Sequence, residues 1–417
     1  MPSFRLHHLA VLLAMGWMPS GWAADLALPP ITGQLSGNLV LHDWPGLPPL
    51  AWRVTSVAEG VGTRLELSTT APGLVLRIEA ALPSEKAAGT WRVAEGAVDV
   101  PAWLPVVMAR AGPVGLPGDL EAGGRVRLAG SGTWQGAEVR GTVSATLVDG
   151  SARSSSQGWE AAAIAVTGEL TVSAQGAGLR SARIRVGSFQ AAGMVASNLT
   201  ADVAGAADGR LEIRRLELDV LGGHVSLEPF GFDPAKPALE ATANFSGIAL
   251  SDLARLVPQA LAEARGLVNG RVALRWSSAT GFQLGTGALA VSTATPAMVR
   301  LAATPGFLTG SMPRNIALLP AWLGPLARWF SPENPAYSSL EDIELGRQAL
   351  SVESLNLQFY PDGPDAPRSA RVDLTARPPA GSAVERVTFT VNVAGPLNQV
   401  LRLGRNGGIK VKVESGP

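Results

Sequence analysis

Cysteine is absent from the 417 residues of this chain. The chain therefore has no disulfide bond, no thiolate metal site, no thiol nucleophile and no cysteine for lipid attachment. Charge is also sparse, because charged residues make up only 16% of the sequence and the formal net charge is zero. Nucleic-acid binding needs a basic stripe, and this balance excludes nucleic acid as a partner.

Residues with catalytic chemistry are scarce as well. Beyond the N-terminal segment the only histidines are His42 and His224, and no H-E-x-x-H, G-x-S-x-G or P-loop pattern occurs. The sequence thus predicts no enzyme, no catalytic residue, no metal site and no cofactor. One enzymatic alternative stays open, a glycan hydrolase that uses paired acids such as Asp252, Glu341 and Asp342. Carboxylates at strand and helix edges are more often simply solvated.

Long hydrophobic runs are missing too. After a short basic start, Leu9–Met18 is apolar over about ten residues, too few to span a bilayer. Pro19 breaks this run, and Gly21 and Ala23 are the small residues of a cleavage site. The pattern predicts a secretory signal peptide over residues 1–23 that is cleaved after Ala23; the alternative is an uncleaved membrane anchor. An exported chain of this composition fits a Gram-negative periplasm, free or associated with the inner or outer membrane.

The sequence is rich in turn residues and in segments where apolar residues alternate with polar ones. Glycine and proline account for 48 and 31 residues. Between residues 211 and 229, two runs in which apolar residues alternate with polar ones flank Gly222-Gly223, which predicts a β-hairpin with one apolar face. Leu211 and Ile213 are out of phase with Leu216, so we expect a bulge at Arg214-Arg215; a lipid-phosphate contact is the alternative use of this arginine pair.

Similar runs recur along most of the chain, with turn signals every 8 to 12 residues or so, and predict roughly 20 to 24 strands. Short helices are expected at Leu104–Arg110, at Ile248–Ala264 with Ser251 as its cap and a break at Pro258, and at Ala321–Phe330. A mostly β fold follows. The interpretation we favour is one elongated, strongly curved antiparallel sheet that forms an open groove, apolar inside and polar outside.

The polar stretch Asp149–Gly158 is the best linker in the sequence. It divides the predicted groove into an N-terminal part, residues 24–150, and a C-terminal part, residues 151–417. At about 4.8 Å between strands, twenty-odd strands would stack to roughly 100 Å.

The segment from about residue 205 to 405 resembles the YdbH-type intermembrane phospholipid transport family of the AsmA-like, TamB-related group. The resemblance rests on an ordered set of blocks. These are HVSLEPFGFDPAKPALEATANFSGI (224–248), LSDLARLVP (250–258), GLVNGRVALRW (266–276), GFQLGTGALAVSTATPAMVRL (281–301) and YSSLEDIELGRQALSVESLNLQFYPDGPDAPRSARVDLTARPP (337–379).

The resemblance implies a long β-groove, a β-taco, in which acyl chains slide between the inner and outer membranes while head groups stay in water. It implies phospholipids as cargo, an inner-membrane partner, and a YnbE-like outer-membrane lipoprotein that adds strands at the C-terminal end. Members of this family are longer and begin with a membrane anchor, a difference that favours partners for anchoring and for extending the groove.

Groove-lining residues follow from the strand phase. The predicted set is Leu216, Leu218, Val220, Val225, Leu227, Leu355, Leu357, Phe359, Val372, Leu374, Val387, Phe389 and Val391. Ile409, Val411 and Val413 are predicted to form the strand that docks a partner, although Lys410 and Lys412 could instead protect a free edge. A non-lipid alternative is a structural or adhesive β-protein with a closed core.

Overall fold

A computed structural model of the chain shows a mostly β protein with three short helices in its described part. The structure describes residues 32–40, 47–59, 62–82, 89–111, 117–135, 138–173, 176–191, 193–206, 208–234, 236, 238–255, 261–277, 281–316, 331–361, 370–393 and 412–413. All the strand pairings with a defined register are antiparallel. The predicted class, an antiparallel β-protein with a few short helices, is confirmed.

The chain forms two compact units. Unit 1 comprises residues 1–218 and 229–238, and unit 2 comprises residues 219–228 and 239–417. The predicted linker, Asp149–Gly158, instead belongs to the end of a long strand and the turn that follows it. The division of the groove at residue 150 stays a prediction.

The described residues of unit 1 form one helix and twelve strands, one of which ends just past the boundary of the unit. They are β1 (Gly33–Leu39), β2 (Leu50–Glu59), β3 (Gly62–Ala71), β4 (Leu74–Leu82), β5 (Gly89–Asp99), α1 (Val100–Ala111), β6 (Glu121–Gln135), β7 (Glu138–Ser154), β8 (Trp159–Ser173), β9 (Gly176–Ala191), β10 (Met194–Gly205), β11 (Leu211–Val220) and β13 (Phe230–Phe232).

From β1 to β10 each strand pairs with the next one in the sequence, so unit 1 is a long meander. β11 pairs with β13. Short turns suffice for such neighbours, which is why turn residues recur so often in this sequence. The connection from β5 to β6 is longer and carries α1, which packs on both strands.

In the part of unit 2 that the structure describes there are two helices and ten strands. They are β12 (Gly223–Leu227), β14 (Ala238–Ala249), α2 (Leu250–Ala254), β15 (Leu261–Arg265), β16 (Leu267–Ser277), β17 (Gly281–Val291), β18 (Ala297–Leu301), α3 (Pro335–Glu344), β19 (Leu350–Phe359), β20 (Ala370–Arg377), β21 (Val387–Val393) and β22 (Lys412–Val413).

The sheet of unit 2 bends at Gly266. β15 pairs with β18, β16 pairs with β17, and β19 pairs with both β18 and β17. Gly266 has a φ of 122°, and a Cβ there would lie 2.7 Å from that of Ala297. Glycine is therefore needed at the junction of β15 and β16, where the chain passes from one pairing partner to another. On either side the ladder continues through β14 and β12 and through β20, β21 and β22.

The helix predictions were right in part. α1 contains the predicted Leu104–Arg110 and extends beyond it, with Pro105 inside. α2 is shorter than predicted, its N-cap is Ala249 without a side-chain hydrogen bond rather than Ser251, and residues 261–265 form a strand. Ala321–Phe330 lies outside the described residues.

Helix α3 was not predicted, although Asn334-Pro335 is a typical helix start. The Asn334 side chain accepts a hydrogen bond from the Ala336 N–H at 3.1 Å, and Pro335 occupies the first turn, where its missing N–H is no loss. In the described ranges, no helix is both long and apolar enough to cross a membrane.

Candidate functional site: an open apolar face

A continuous row of apolar residues crosses eight successive strands of unit 1, from β3 to β10. Each residue is the direct cross-strand partner of the next, and together they define the unit 1 row. The row consists of Ala71, Leu74, Val98, Val126, Leu147, Val166, Ile184 and Ala201. Because side chains of a strand alternate between faces, all eight lie on the same face of the sheet.

This face is only partly covered. In a sheet that packs beneath a second layer, apolar inner residues are buried. Of the unit 1 row, only Leu74 and Ala201, each 7% exposed, are buried, and the other six side chains are half-buried. In the described part of unit 1 the extensive packing is between sequential strands and of α1 on β5 and β6. The row thus remains accessible to an apolar ligand.

The opposite face of unit 1 carries cross-strand ion pairs. Arg64 and Arg92 both donate to the Glu79 carboxylate, at 3.0 and 2.6 Å, and together they lower the pKa of Glu79. Arg183 donates to Asp202 at 2.7 Å. Exposed pairs of this kind contribute little to stability, roughly 0 to 1 kcal/mol each. They do fix the strand register, because a slip by one residue would turn every charge towards the apolar row.

Unit 2 has an equivalent row. It crosses β16, β17, β19, β20, β21 and β22, and each member again pairs directly with the next. The unit 2 row consists of Gly270, Leu289, Leu357, Val372, Val391 and Val413. Leu289 is 6% exposed, whereas Leu357, Val372 and Val391 are half-buried.

The other face of unit 2 is polar. Asn356 pairs with Asp373, one residue out of phase with Leu357 and Val372. Arg371 donates to Asp373 at 2.8 Å, and this hydrogen bond, with that from the Thr390 hydroxyl, lowers the pKa of Asp373 in spite of its partial burial. The charge of Glu263 is matched by Arg265 and Arg300.

Next to the unit 2 row runs a covered one. Leu355 pairs with Leu374 and Leu374 with Phe389 across β19, β20 and β21, and their exposed fractions are 7%, 7% and 6%. The Phe307 ring lies against the Phe389 ring, with centroids 6.4 Å apart and planes at 15°. We call these three residues the covered row. On the apolar face of unit 2, the covered row is therefore buried, whereas the neighbouring unit 2 row is partly accessible.

The residues proposed as groove lining fall on these rows or beside them. Leu357, Val372 and Val391 belong to the unit 2 row, and Leu355, Leu374 and Phe389 to the covered row. Phe359 pairs with Gly287 and Ala370, and Val387 pairs with Ala376. That lipid contacts them stays a prediction.

Around residue 220, burial follows the predicted phase only as far as the arginine pair, because residues 216–220 are all half-buried, so the apolar face of the hairpin and the bulge stay predictions. Arg214 and Arg215 are both exposed, while Leu211 and Ile213 before them and Leu216 after them are half-buried. Each arginine has a partner on its own strand: Arg214 donates to Glu212 and Arg215 to Glu217. The predicted residues Leu218, Val220 and Leu227 are half-buried, and Val225 is 5% exposed and pairs with Phe245.

The turn of this hairpin is strained. Leu221 and Gly222 have φ values of 50° and 69°, both in the left-handed region. Two consecutive positive φ angles are typical of the tight turns that match the twist of a hairpin. Glycine adopts this conformation freely, whereas leucine does so at a cost.

Val413, predicted to dock a partner, lies in β22 opposite Val391. Ile409 and Val411 lie outside the described residues, as do His42 and the predicted signal peptide.

The residues considered for catalysis are engaged in ordinary polar contacts. His224 is exposed, and its Nδ1 lies 2.9 Å from the Asp219 carboxylate. Asp252 pairs with Arg255 at 2.9 Å and Asp342 with Arg347 at 3.2 Å. Within the described ranges, no group of three or more His, Asp or Glu residues is arranged to hold a metal ion.

Sequence reasoning missed the unit 1 row as a set. Each of its strands shows alternation, so the signal for the phase was available. Which residues become partners depends on bulges, such as the register shifts at Gly123/Arg125 and Leu147/Gly150, which the sequence pattern does not specify.

Residues 109–307 match the family model described as YdbH-like, intermembrane phospholipid transport protein YdbH. The resemblance to this family is therefore confirmed for just under half of the chain. The match begins at residue 109 instead of about 205 and ends at residue 307 instead of about 405. It takes in the end of α1 and the strands from β6 to β18, and with them most of the unit 1 row.

The YdbH-like match is a match to a family of lipid transport proteins, which act between two membranes. No curated protein matches the chain, and no solved structure does so. The apolar rows are thus the structural feature of this chain that bears on the YdbH-like match.

Proposed function

We propose that this protein carries phospholipids between the inner and outer membranes by letting their acyl chains slide along the apolar rows, without catalysing a reaction. The observation that carries the proposal is the unit 1 row: eight directly paired apolar residues on an accessible face, with ion pairs on the other. The YdbH-like match, which covers the five strands of the row from β6 to β10, supports it independently.

The physical reason is the cost of moving a lipid through water. Each CH2 group that leaves an apolar environment costs about 0.8 kcal/mol, so two acyl chains cannot cross an aqueous space unaided. An apolar strand face replaces water along the path. Because its members are similar aliphatic side chains, neighbouring positions bind an acyl chain about equally well, and no position traps it.

The dimensions suit this cargo. Eight strands about 4.8 Å apart give the unit 1 row a span of about 34 Å. One leaflet contributes roughly 15 Å of acyl chain, half of a hydrocarbon core of about 30 Å. The row is thus about twice as long as one lipid tail, as a path requires and a closed binding site does not.

The cellular setting is part of the proposal. The YdbH-like match and the signal-peptide pattern support a location in the periplasm. The apolar rows support phospholipids as the cargo. Delivery of these lipids contributes to the lipid homeostasis of the outer membrane. The unit 2 row reaches Val413 in β22, which favours a YnbE-like lipoprotein adding strands there and continuing the row. An inner-membrane partner would supply lipid at the end of the path next to the inner membrane.

Photo-crosslinking in living cells with phosphate-labelled phospholipids tests the proposal. A photoreactive amino acid replaces Leu147 or Leu357, one from each row, and in matched controls it replaces Thr146 or Asn356, their neighbours on the polar face. We expect labelled lipid on the two row positions and little on the controls. Equal labelling within each pair would indicate mere proximity to a membrane and would contradict a lipid path.

Absence of labelling at all four positions, in a folded and exported protein, would also contradict the proposal. It would favour the structural alternative, in which another protein covers the rows.

A further inference from the structure

Glu344 is a buried carboxylate on which a whole loop converges. It is 2% exposed. The backbone N–H groups of Gly306, Leu308 and Thr309 donate to its two oxygens at 3.0, 2.7 and 3.0 Å, and the Thr309 hydroxyl donates at 2.7 Å. The Glu344 backbone carbonyl accepts a fifth hydrogen bond, from the Thr304 N–H at 2.9 Å.

The position of this carboxylate needs an explanation. Glu344 is the last residue of α3, where the partial negative charge of the helix end disfavours an acid. Burial alone raises the pKa of Glu344, but the hydrogen bonds from Leu308, Thr309 and Gly306 outweigh it and leave the pKa below the ordinary value. An acid at this site is stable only because the loop donates to it, so loop and carboxylate depend on each other.

The loop ends on the apolar face of unit 2. Phe307 lies between the donors Gly306 and Leu308, and its ring stacks on Phe389 of the covered row. The covered row is buried, while Leu357 and Val372, next to it on β19 and β20, are half-buried. On these strands the boundary between buried and half-buried residues therefore falls between two adjacent rows, and Phe307 contacts the buried one.

A second contact anchors the helix end of the arrangement. The Ser339 hydroxyl in α3 accepts a hydrogen bond from the Ala383 N–H, in the connection between β20 and β21, at 3.2 Å. The helix is thus tied to the sheet at Ala383, while the loop is tied to the helix through Glu344. Losing the contacts of the Glu344 carboxylate would release residues 306–309 without detaching α3, while the end of the loop stays tied to α3 through Asn334 and the Pro313 carbonyl.

We propose that residues 304–312 form a stopper that Glu344 holds shut over the covered row, and that its release lengthens the accessible apolar face of unit 2. The stopper regulates how far an acyl chain advances, a role that rests on the proposed lipid path. A chain that enters along Leu357 and Val372 meets the Phe307 ring at the covered row. Displacing that ring exchanges one apolar contact for another, so an arriving acyl chain can itself favour the open state.

Single-cysteine variants measure the opening directly, because the chain has no cysteine of its own. Cysteine replaces Leu374 in the covered row or Leu357 in the unit 2 row, in the full chain, and its alkylation by N-ethylmaleimide is followed. We expect Leu374→Cys to react at least about tenfold more slowly than Leu357→Cys. Adding Glu344→Gln should raise the rate at position 374 about tenfold or more and leave position 357 within about twofold, because the buried loop loses its charged acceptor.

Three results would overturn the stopper. One is equal alkylation of the two positions in the parent chain. The others appear in Glu344→Gln when hydrogen exchange of the Leu308 and Thr309 amides is measured together with alkylation. Unchanged exchange would mean that Glu344 does not hold the loop, and faster exchange with unchanged alkylation would mean that the loop does not cover the row. If Glu344→Gln does not fold, Thr309→Val removes the hydroxyl donor alone and is expected to give a smaller change of the same sign.

A lipid probe separates this inference from the proposed function. Phosphatidylethanolamine with a diazirine on one acyl chain is presented in vesicles, and labelled peptides are identified by mass spectrometry. Labelling at Leu357 in the parent chain tests the path, and labelling at Leu374 that rises at least about tenfold with Glu344→Gln tests the stopper. Alkylation as expected without any lipid labelling would leave the stopper standing and refute the path.

Discussion

At the scale of single residues, backbone strain is concentrated at the bulges that align the strands. Ala163 in β8 has a φ of 53°, and Gly187 lies opposite, where a Cβ would come within 2.8 Å of the Ala163 Cβ. The left-handed conformation costs a non-glycine residue about 1 to 2 kcal/mol. The bulge keeps Ile164 and Ala161 on the apolar face, so the strain serves the alignment of the rows.

Relief of this strain gives a first prediction. Ala163→Gly should raise the free energy of unfolding by up to about 1 kcal/mol, because glycine removes the left-handed penalty but adds chain entropy in the unfolded state. Ala165→Gly, two residues along the same strand in extended backbone, should lower it by a similar amount. Urea titrations of both variants check this, and a shift of both midpoints in the same direction would contradict the role of strain.

Asp119 gives a prediction about pH. Its carboxylate accepts hydrogen bonds from the Ser156 hydroxyl at 2.7 Å, the Ser156 N–H at 2.7 Å and the Ser154 hydroxyl at 2.8 Å. These bonds, with those of Ser156 largest, lower the pKa of Asp119 from 3.8 to about 2.

Because the folded pKa is the lower one, the stabilisation is complete above about pH 4 and is lost as the pH falls towards about 2. Asp119→Asn should be less stable than the parent at neutral pH, and the difference should shrink across that window. Chemical denaturation at a series of pH values measures it, and a difference that is independent of pH would be evidence against this carboxylate.

At the scale of elements, the sequence predicts the face of a strand on which a side chain lies better than it predicts which distant residues contact that side chain. The alternation around Leu357 is enough to predict that Leu355 and Leu357 share a face opposite Asn356, since the period of a strand is fixed at two. The Leu374 and Phe389 strands were also predicted, but not that these residues are covered. Phe389 lies against Phe307, in a loop that Glu344 binds from more than thirty residues away, and local patterns do not contain such contacts.

Helices show the same limit. α1 is predicted because an apolar stretch without alternation lies between prolines. Residues 261–264 were expected to be helical and instead belong to β15, because pairing with β18 overrides a weak local preference. α3 was overlooked although Asn334-Pro335 marks its start.

The start of α3 can be tested by itself. Asn334→Ala removes the hydrogen bond to the Ala336 N–H and that from the Asn334 side chain to the Pro313 carbonyl at 3.2 Å. The free energy of unfolding should fall by about 1 kcal/mol. Ser338→Ala, which removes only a hydroxyl bond to the Pro335 carbonyl within the helix, should be nearly neutral. Equal losses in the two variants, measured by urea titration, would argue against a special role for the cap.

The row of unit 1 yields a prediction about transport. Val166→Arg places a charge at the middle of the row, between Leu147 and Ile184, and should slow phospholipid transfer at least about tenfold, because acyl chains cannot replace the water around a guanidinium group. Thr167→Arg puts the same charge on the polar face and should transfer lipid like the parent. Transfer between donor and acceptor vesicles is the measurement. Equal rates for the two variants would show that lipids do not use this row.

At the scale of the whole molecule, a face that remains accessible is a source of marginal stability. Apolar side chains in contact with water contribute less to folding than covered ones, so a bound lipid should stabilise the protein. At a free lipid concentration 100 times its Kd, a single site would add about 2.7 kcal/mol.

We therefore expect the protein purified from cells to contain phospholipid and to unfold at a lower temperature once the lipid is extracted. Adding phosphatidylethanolamine should restore the original unfolding temperature, and adding its water-soluble head group alone should not. Calorimetry checks this, and restoration by the head group would show that binding depends on polar contacts instead of the rows.

The meander of unit 1 also has a consequence for how such proteins change length. Because β1 to β10 pair in chain order, a pair of neighbouring strands such as β7 and β8 is a self-contained segment of the gene. Its duplication or loss would lengthen or shorten the sheet by about 10 Å, while the strands on either side would still meet in antiparallel orientation. Evolution could in this way fit a protein to a wider or narrower gap between two membranes by copying hairpins, without inventing a new fold.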